Sequence, residues 1–449
     1  MKHFMIVVAA LAIYSMVRSE EPVHPINADS LAQEVKAEFL HCWNGYKLYA
    51  WGHDDLKPLS RTFRDWHAEP LYMTAVDALD ALILMGFNRD ADSTVEFLAA
   101  NLGFDKDIEV KNFEITIRIL GGLLSSYEMT RDQRLLQKAV DLGYRLMPVF
   151  ESKTGMPYMY INLKTGKVRG EISNPAEIGT LLIEFGTLAR LSNHQEFYEK
   201  PKKALIELYN RRSPLGLVGS RINVNTGEWV DSASHLSGGI DSYYEYLLKS
   251  AFLFGDTTFM YMWNTSLGAI NKHLAWDTST GAWYGVVNMY TGQREESYTG
   301  ALDAFFPAML ALGGDLNRAA LCQESFYGVW TKFGIEPEGI NFATMQVVYP
   351  GYPLRPEIIE SAYYLYYFTR DDKYRRMGQV FFDSLKTYCR TDVGYAALKD
   401  VTTKGQADEM ESFFLTETLK YLYLLFSPPE TMNLTTSVFN TEAHPMMRQ

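Results

Sequence analysis

The chain has 449 residues, 47% of them hydrophobic and 14% aromatic, enough apolar side chain to bury a large core. Its 54 acidic residues against 42 basic ones leave a net charge of −12, which argues against nucleic acid as a partner and favours a neutral or cationic ligand. Length alone is compatible with two or three domains or with one barrel.

At the start, Lys2 precedes an apolar run from Phe4 to Val17 and then Arg18-Ser-Glu-Glu-Pro22. The run is short for a bilayer span and reads as a secretory signal peptide over residues 1–20, although a clean Ala-x-Ala site is missing; a retained anchor is the alternative. No other segment is apolar and uncharged enough to cross a membrane, so an exported protein without a stable membrane span is expected. Only Cys42, Cys322 and Cys389 are present, which permits one disulfide at most and leaves stability to packing. Asn264-Thr-Ser and Asn433-Leu-Thr are glycosylation sequons.

A polar linker (21–28) leads to a helix capped at Asp29-Ser30 and running to about Tyr46. From there an apolar helix, a polar turn and a second helix recur. The turns are Gly86-Phe-Asn-Arg-Asp90, Thr130-Arg-Asp132, Ser192-Asn-His194, Phe254-Gly-Asp256, Gly313-Gly-Asp315 and Thr369-Arg-Asp371, with Ser427-Pro-Pro429 closing the last helix. Most lie about 60 residues apart, the mark of a repeat architecture. Seven helical hairpins with no strand-rich block between them predict one all-α domain over 29–449, an (α/α)7 toroid. The more apolar helices, starting near Glu69, Phe113, Asn174, Gly238, Tyr298, Pro356 and Asp408, are expected to form the inner ring, with amphipathic partners such as 131–150 and 371–389 outside. Gly-, Asn- and Thr-rich stretches (152–171, 221–234, 277–294) read as hairpin loops on one rim.

Inner helices carry carboxylates near their N-terminal ends: Glu69, Glu114, Glu177, Asp241, Glu357 with Glu360, and Glu411 with Glu417. Pro353 and Pro356 set one such start, where Arg355 accompanies Glu357 and Glu360. A single acidic residue in a first turn is ordinary capping. Several converging on one cavity, with Arg118, Arg355 and aromatic rings, suit sugar hydrolysis. Asp77 and Asp80, inside an apolar helix, read as structural hydrogen-bonding groups, and His53, His67, His235 and His273 have no zinc-ligand spacing. The polar segment Phe439-Asn-Thr-Glu-Ala-His-Pro445 reads, on its residues alone, as a frayed tail.

Six blocks carry a family resemblance: Val76-Asp-Ala-Leu-Asp80, Asn112-Phe-Glu-Ile-Thr-Ile-Arg-Ile-Leu-Gly-Gly122, Gly239-Ile-Asp-Ser-Tyr-Tyr-Glu-Tyr-Leu-Leu-Lys249, Tyr352-Pro-Leu-Arg-Pro-Glu-Ile-Ile-Glu-Ser361, Met410-Glu-Ser-Phe-Phe-Leu-Thr-Glu-Thr-Leu-Lys420 and the 439–445 segment. In this order they resemble glycoside hydrolase family 47, the class I α-mannosidases. The resemblance implies an (α/α)7 barrel plugged by its C-terminal segment and a Ca²⁺-dependent, inverting exo-α-1,2-mannosidase acting on high-mannose oligosaccharides or glycoproteins, expected as a monomer. It makes Glu114 the general acid, with Arg118 holding it or the substrate. Glu357 becomes the leading base, with Asp241 the alternative for base or acid. Arg355, Glu360 and Glu417 then grip sugar hydroxyls or calcium-bound waters, Phe413 stacks beneath the ring, and Thr441 supplies oxygens to Ca²⁺ with Glu442 nearby. Two departures stand out in 299–307, where Ala301 and Ala304 replace the histidine and cysteine that processing members often carry. That block and 239–242 lie closer to the degradation-enhancing, EDEM-like branch, so a mannose-binding role with weak or no turnover is the competing expectation.

Overall fold

The computed structural model describes residues 26–448, so the expected signal peptide and most of the linker lie outside the described residues. Among the described residues, no helix is long and apolar enough to cross a membrane.

Among the described residues, seven inner helical segments alternate with seven outer ones, the (α/α)7 barrel that the turn repeat predicts. The inner set comprises 73–84, 112–130, 175–192, Asp241–Phe254, 302–312, Glu357–Thr369 and 414–426; the outer set comprises Ala28–Tyr49, Asn88–Asn101, Gln133–Leu146, Glu196–Asn210, Thr257–His273, Leu316–Phe333 and Lys373–Tyr388. The first helix packs on Leu419–Phe426, and 414–418 meets Leu79–Leu84, which closes the ring. Composition sorts the two layers. Asp241–Phe254 is buried on almost every side, whereas Gln133–Leu146 buries only Leu135, Leu136, Ala139, Leu142, Gly143 and Leu146, one stripe at helical spacing.

The polar turns work as the residue types suggest. Asp132, Asp256 and Asp315 each accept a hydrogen bond from a backbone N–H in the first turn of the outer helix that follows. Arg131, Asn193, Gly255 and Arg370 end inner helices in the left-handed region, which reverses the chain. The first helix departs from expectation: it begins at Ala28 with Asn27 as its cap, whose side chain accepts from Ser30 N–H.

Short antiparallel ladders join the segments that precede successive inner helices. Glu109–Lys111 pairs with Tyr160–Asn162, Ile172–Ser173 with Arg221–Asn223, Ala233–Ser234 with Val286–Asn288, and Tyr298–Gly300 with Gly339–Asn341. They form a rim at the inner helices' N-terminal ends and fix where those ends point. Several expected inner starts are displaced by this rim. Tyr298 lies in a strand, and Asp408 accepts from Leu59 N–H and Ser60 N–H, ahead of the helix that begins at 414. Cys42, Cys322 and Cys389 are buried and free.

Candidate active site

The inner N-termini surround a cavity of about 340 Å³. Eight carboxylates line it (Glu114, Glu177, Asp241, Glu245, Glu357, Glu360, Glu417 and Glu442), against Lys111, Arg118 and Arg355. All the residues singled out from the sequence as catalytic, substrate-binding or metal-binding (Glu114, Asp241, Glu357, Arg118, Arg355, Glu360, Phe413, Glu417, Glu442 and Thr441) come together here.

The second inner helix opens at Asn112, so Glu114 sits in its first turn and Arg118 one turn on. Arg118 Nε donates to Glu114 at 3.0 Å, while its other arm pairs with Glu442 and lies 3.7 Å from Asp77. Burial opposes the Arg118 charge, but Glu442, Glu114 and Asp77 together hold it firmly protonated. A π-helical turn at Thr116–Leu120 carries Arg118, and a second at Phe414–Thr418 carries Glu417. Such bulges rotate one residue out of the helical register and are frequent at functional sites.

Asp241 begins the fourth inner helix and accepts from Ser242 N–H at 2.8 Å. Burial pushes its carboxyl up to about 7, and Glu245 and Asp303 add to the effect. On the sixth helix, Glu357 is raised to about 8, mainly by burial, with Arg355 pulling the other way. One Glu357 oxygen is buried without a hydrogen-bond partner among the described residues. Arg355 forms a two-pronged pair with Glu338 at 2.8 and 2.9 Å. The Phe413 ring lies 5.6 Å from the Arg118 guanidinium and 5.8 Å from that of Arg355.

The C-terminal segment forms the floor and is no frayed tail: Phe439, Asn440, Glu442, Ala443 and His444 are all buried. The strands Ser437–Phe439 and Pro445–Met447 pair, and the turn between them enters the barrel. Asn440 Nδ2 donates to Ile117 O and to Glu184 Oε1, Lys420 Nζ donates to Ala443 O, and His444 Nδ1 lies 2.7 Å from Asp80 Oδ2. Gly121 and Gly122 make room for it. A Cβ on Gly121 would stand 2.7 Å from Asn440 Nδ2, and one on Gly122 would stand 3.2 Å from His444 Cε1. Asp77 and Asp80 therefore anchor the plug, the structural role read from their apolar helix.

Four side chains that matter here escaped the sequence reading. Lys111 pairs with Glu177 at 2.6 Å, and Lys249, fully buried, pairs with Glu245 at 2.5 Å and approaches Glu360 at 3.6 Å. Glu245 and Lys249 follow Asp241 at four-residue steps on one helix face, a spacing that could have found them. Lys111 and Glu338 lie in rim strands and loops and gave no such signal. Two carboxylates leave the set: Glu69 is exposed ahead of its helix, and Glu411 is held by Arg64 at 2.9 Å.

The floor suits a hard cation. Burial, then repulsion from Glu442, Glu357 and Glu360, drives the Glu417 carboxyl well above its ordinary value; Glu360 rises to about 7 and Glu442 to about 8. A divalent ion would relieve this crowding, and Thr441 presents the right oxygen chemistry. Among the described residues, no three His, Cys, Asp or Glu side chains meet as direct metal ligands.

A seven-hairpin barrel whose acidic central pocket is closed from beneath by its own C-terminus has the constitution of a carbohydrate-cleaving enzyme. The profile of Glycosyl hydrolase family 47 matches residues 38–448, and the chain belongs to this family of glycoside hydrolases. It is 39% identical to Alpha-mannosidase I MNS4 of Arabidopsis thaliana, over 94% of this chain and 70% of that protein. It is 36% identical to human ER degradation-enhancing alpha-mannosidase-like protein 2, over 92% and 77%. The solved alpha-1,2-mannosidase from Trichoderma reesei superposes with a TM-score of 0.87 at 30% identity, covering 94% of this chain and 99% of that one.

Proposed function

We propose that this protein removes terminal α-1,2-linked mannose from high-mannose oligosaccharides by a single displacement that inverts the anomeric carbon. One observation carries the reading. Glu114, Asp241 and Glu357 stand on the second, fourth and sixth of seven inner helices, so Glu114 and Glu357 face one cavity from opposite sides of the ring. Inversion needs that opposition: an acid at the leaving oxygen and a base across the ring, roughly 6.5–9.5 Å apart, with water between.

Glu114 donates a proton to the departing glycosidic oxygen, and Arg118 fixes its orientation. Glu357, whose raised carboxyl must be ionised to act, accepts the proton of the attacking water; Asp241 can exchange roles with it. Arg355 and Glu360 bind hydroxyls, and Phe413 offers a flat apolar face to the sugar. Thr441, with Glu360, Glu417 and Glu442 behind bridging waters, would hold Ca²⁺. Bound there, the ion would neutralise the carboxylates and polarise vicinal hydroxyls and water. The apolar N-terminal run and the ER-named relatives support residence in the secretory pathway.

The test is turnover of an α-1,2-mannobioside by the parent chain and by Glu114→Gln and Glu357→Gln, with calcium present. Turnover by the parent that each substitution lowers by about 10²–10⁴-fold supports the assignment. The similarity to ER degradation-enhancing proteins favours a second reading, a mannose-binding factor. Saturable mannoside binding without turnover by the parent would select it.

A further inference from the structure

Glu336 is a buried acid that the mechanism above leaves unused. It lies in the loop between the outer helix Leu316–Phe333 and the rim strand Gly339–Asn341, is 1% exposed, and among the described residues offers both carboxylate oxygens no hydrogen-bond partner. A carboxyl group buried in this way weakens the fold, and its neighbours Ile335 and Pro337, both buried, are apolar. Packing alone therefore gives no reason for an acid at this position.

The path of the chain carries Glu336 behind Glu357. Pro337 confines the residue before it to extended backbone, and in an extended run side chains two positions apart share a side, so Glu336 follows Glu338. Glu338 is fixed twice: its N–H donates to Gly351 O at 2.7 Å, and its carboxylate holds Arg355 by two bonds at 2.8 and 2.9 Å. Arg355 stands two residues before Glu357, so this ion pair draws 336–338 against the start of the sixth inner helix. The charges acting on Glu336 are those of the junction, Glu357 first, then Glu338 and Arg355. Glu357 in turn faces Arg355, Glu338, Glu360 and Glu417. Tyr352 feels both Glu336 and Glu357, but its hydroxyl donates to Arg355 O at 3.1 Å. One Glu357 oxygen is, like those of Glu336, buried without a partner among the described residues. Two such carboxyl groups are satisfied together when one keeps its proton and a water lies between them. Burial and the repulsion from Glu357 make Glu336 the one that keeps it.

We propose that Glu336 is a positioning residue for Glu357, giving its unpartnered oxygen a hydrogen bond through one bridging water. A donor aimed at a carboxylate favours the charged form, which is the form in which Glu357 can take a proton from water. An acid kept neutral by its surroundings can serve as that donor. The inference rests on the mannosidase reading and adds a group outside the carboxylate cavity, whose lining does not include Glu336. Without the donor, Glu357 holds its proton to higher pH, and the acid limb of the activity profile moves upward.

The experiment compares the parent with Glu336→Leu and Glu336→Gln at saturating calcium. It reads the pH profile of kcat/KM for an α-1,2-mannobioside and, independently of turnover, the infrared titration of Glu357, whose protonated band is assigned by its loss in Glu357→Gln. In Glu336→Leu the acid limb and the infrared midpoint should both rise by about one pH unit, so that kcat/KM below the limb falls about tenfold. Its unfolding stability should be no lower than the parent's, which separates the effect from a damaged fold. Glu336→Gln keeps an N–H donor and should titrate as the parent does. A limb and midpoint that stay in place in Glu336→Leu, move downward, or move equally in Glu336→Gln overturn the positioning role. A parent without turnover whose midpoint still rises in Glu336→Leu overturns the hydrolytic reading and supports the positioning role. A parent that hydrolyses the disaccharide, with a midpoint that Glu336→Leu leaves unmoved, does the reverse.

Discussion

His444→Ala tests whether the C-terminal plug is held by its buried charges. His444 is fully buried, with Nδ1 2.7 Å from Asp80 Oδ2 and Nε2 3.4 Å from Asp77 Oδ1. Asp80 also meets Lys420 Nζ at 2.7 Å and Ser125 Oγ at 2.8 Å. Burial disfavours the imidazolium, but Asp80 and Asp77 outweigh it and raise His444 from 6.5 to about 9. A gap of that size corresponds to ~3 kcal/mol of stability. Removing one partner of a buried ion pair costs about 3–5 kcal/mol by a separate route, so both arguments reach the same order. The sign follows from the raised value. The contribution is complete below pH 6.5 and disappears as pH rises through 9. Guanidinium unfolding at pH 6 and pH 9.5 should therefore show the variant several kcal/mol less stable at the lower pH, with a clearly smaller gap at the higher. A loss below about 1 kcal/mol, or one equal at both pH values, would refute an ionic anchor.

Other consequences can be measured alongside. Glu336 is buried with neither carboxylate oxygen hydrogen-bonded among the described residues, and burial, then Glu357 and Glu338, raise its pKa well above normal. The folded state thus holds its proton where the unfolded state has lost it, which penalises folding as pH rises past the unfolded value; Glu336→Leu should stabilise the chain at neutral pH by about 1–3 kcal/mol in chemical denaturation. Glu114→Gln should lower kcat by about 10²–10⁴-fold while leaving mannoside affinity nearly intact, read by steady-state kinetics and calorimetry. Calcium at a hundredfold excess over its Kd should add ~2.7 kcal/mol to unfolding stability, and EDTA should remove it; identical melting in both would argue against the floor site.

The fold was legible because its information is local and repeated. Asp132, Asp256 and Asp315 mark helix starts by their own side-chain chemistry, and the buried faces of helices such as Asp241–Phe254 differ plainly from the stripe on Gln133–Leu146. Carboxylates at inner N-termini were visible for the same reason, since a toroid brings those ends together. What stayed hidden depended on contacts far apart in the chain. Lys111 meets Glu177 across 66 positions, Glu338 reaches Arg355 from a rim loop, and the π-helical turns that rotate Arg118 and Glu417 leave no pattern in residue spacing. The C-terminal segment is the sharpest case. Its polar residues suggest a solvated tail, yet Asn440, Glu442 and His444 are polar because the barrel interior offers Glu184, Arg118 and Asp80 as partners. Glu69 misled in the opposite sense, since an acidic residue near a helix start can be only a surface charge.

The central claim, an acid and a base acting across one cavity, is tested most directly by following the anomeric product. Proton NMR of an α-1,2-mannobioside mixed with the purified protein and calcium should show β-mannose first, with the α anomer growing only as the free sugar mutarotates. Initial α-mannose would contradict the opposed roles of Glu114 and Glu357.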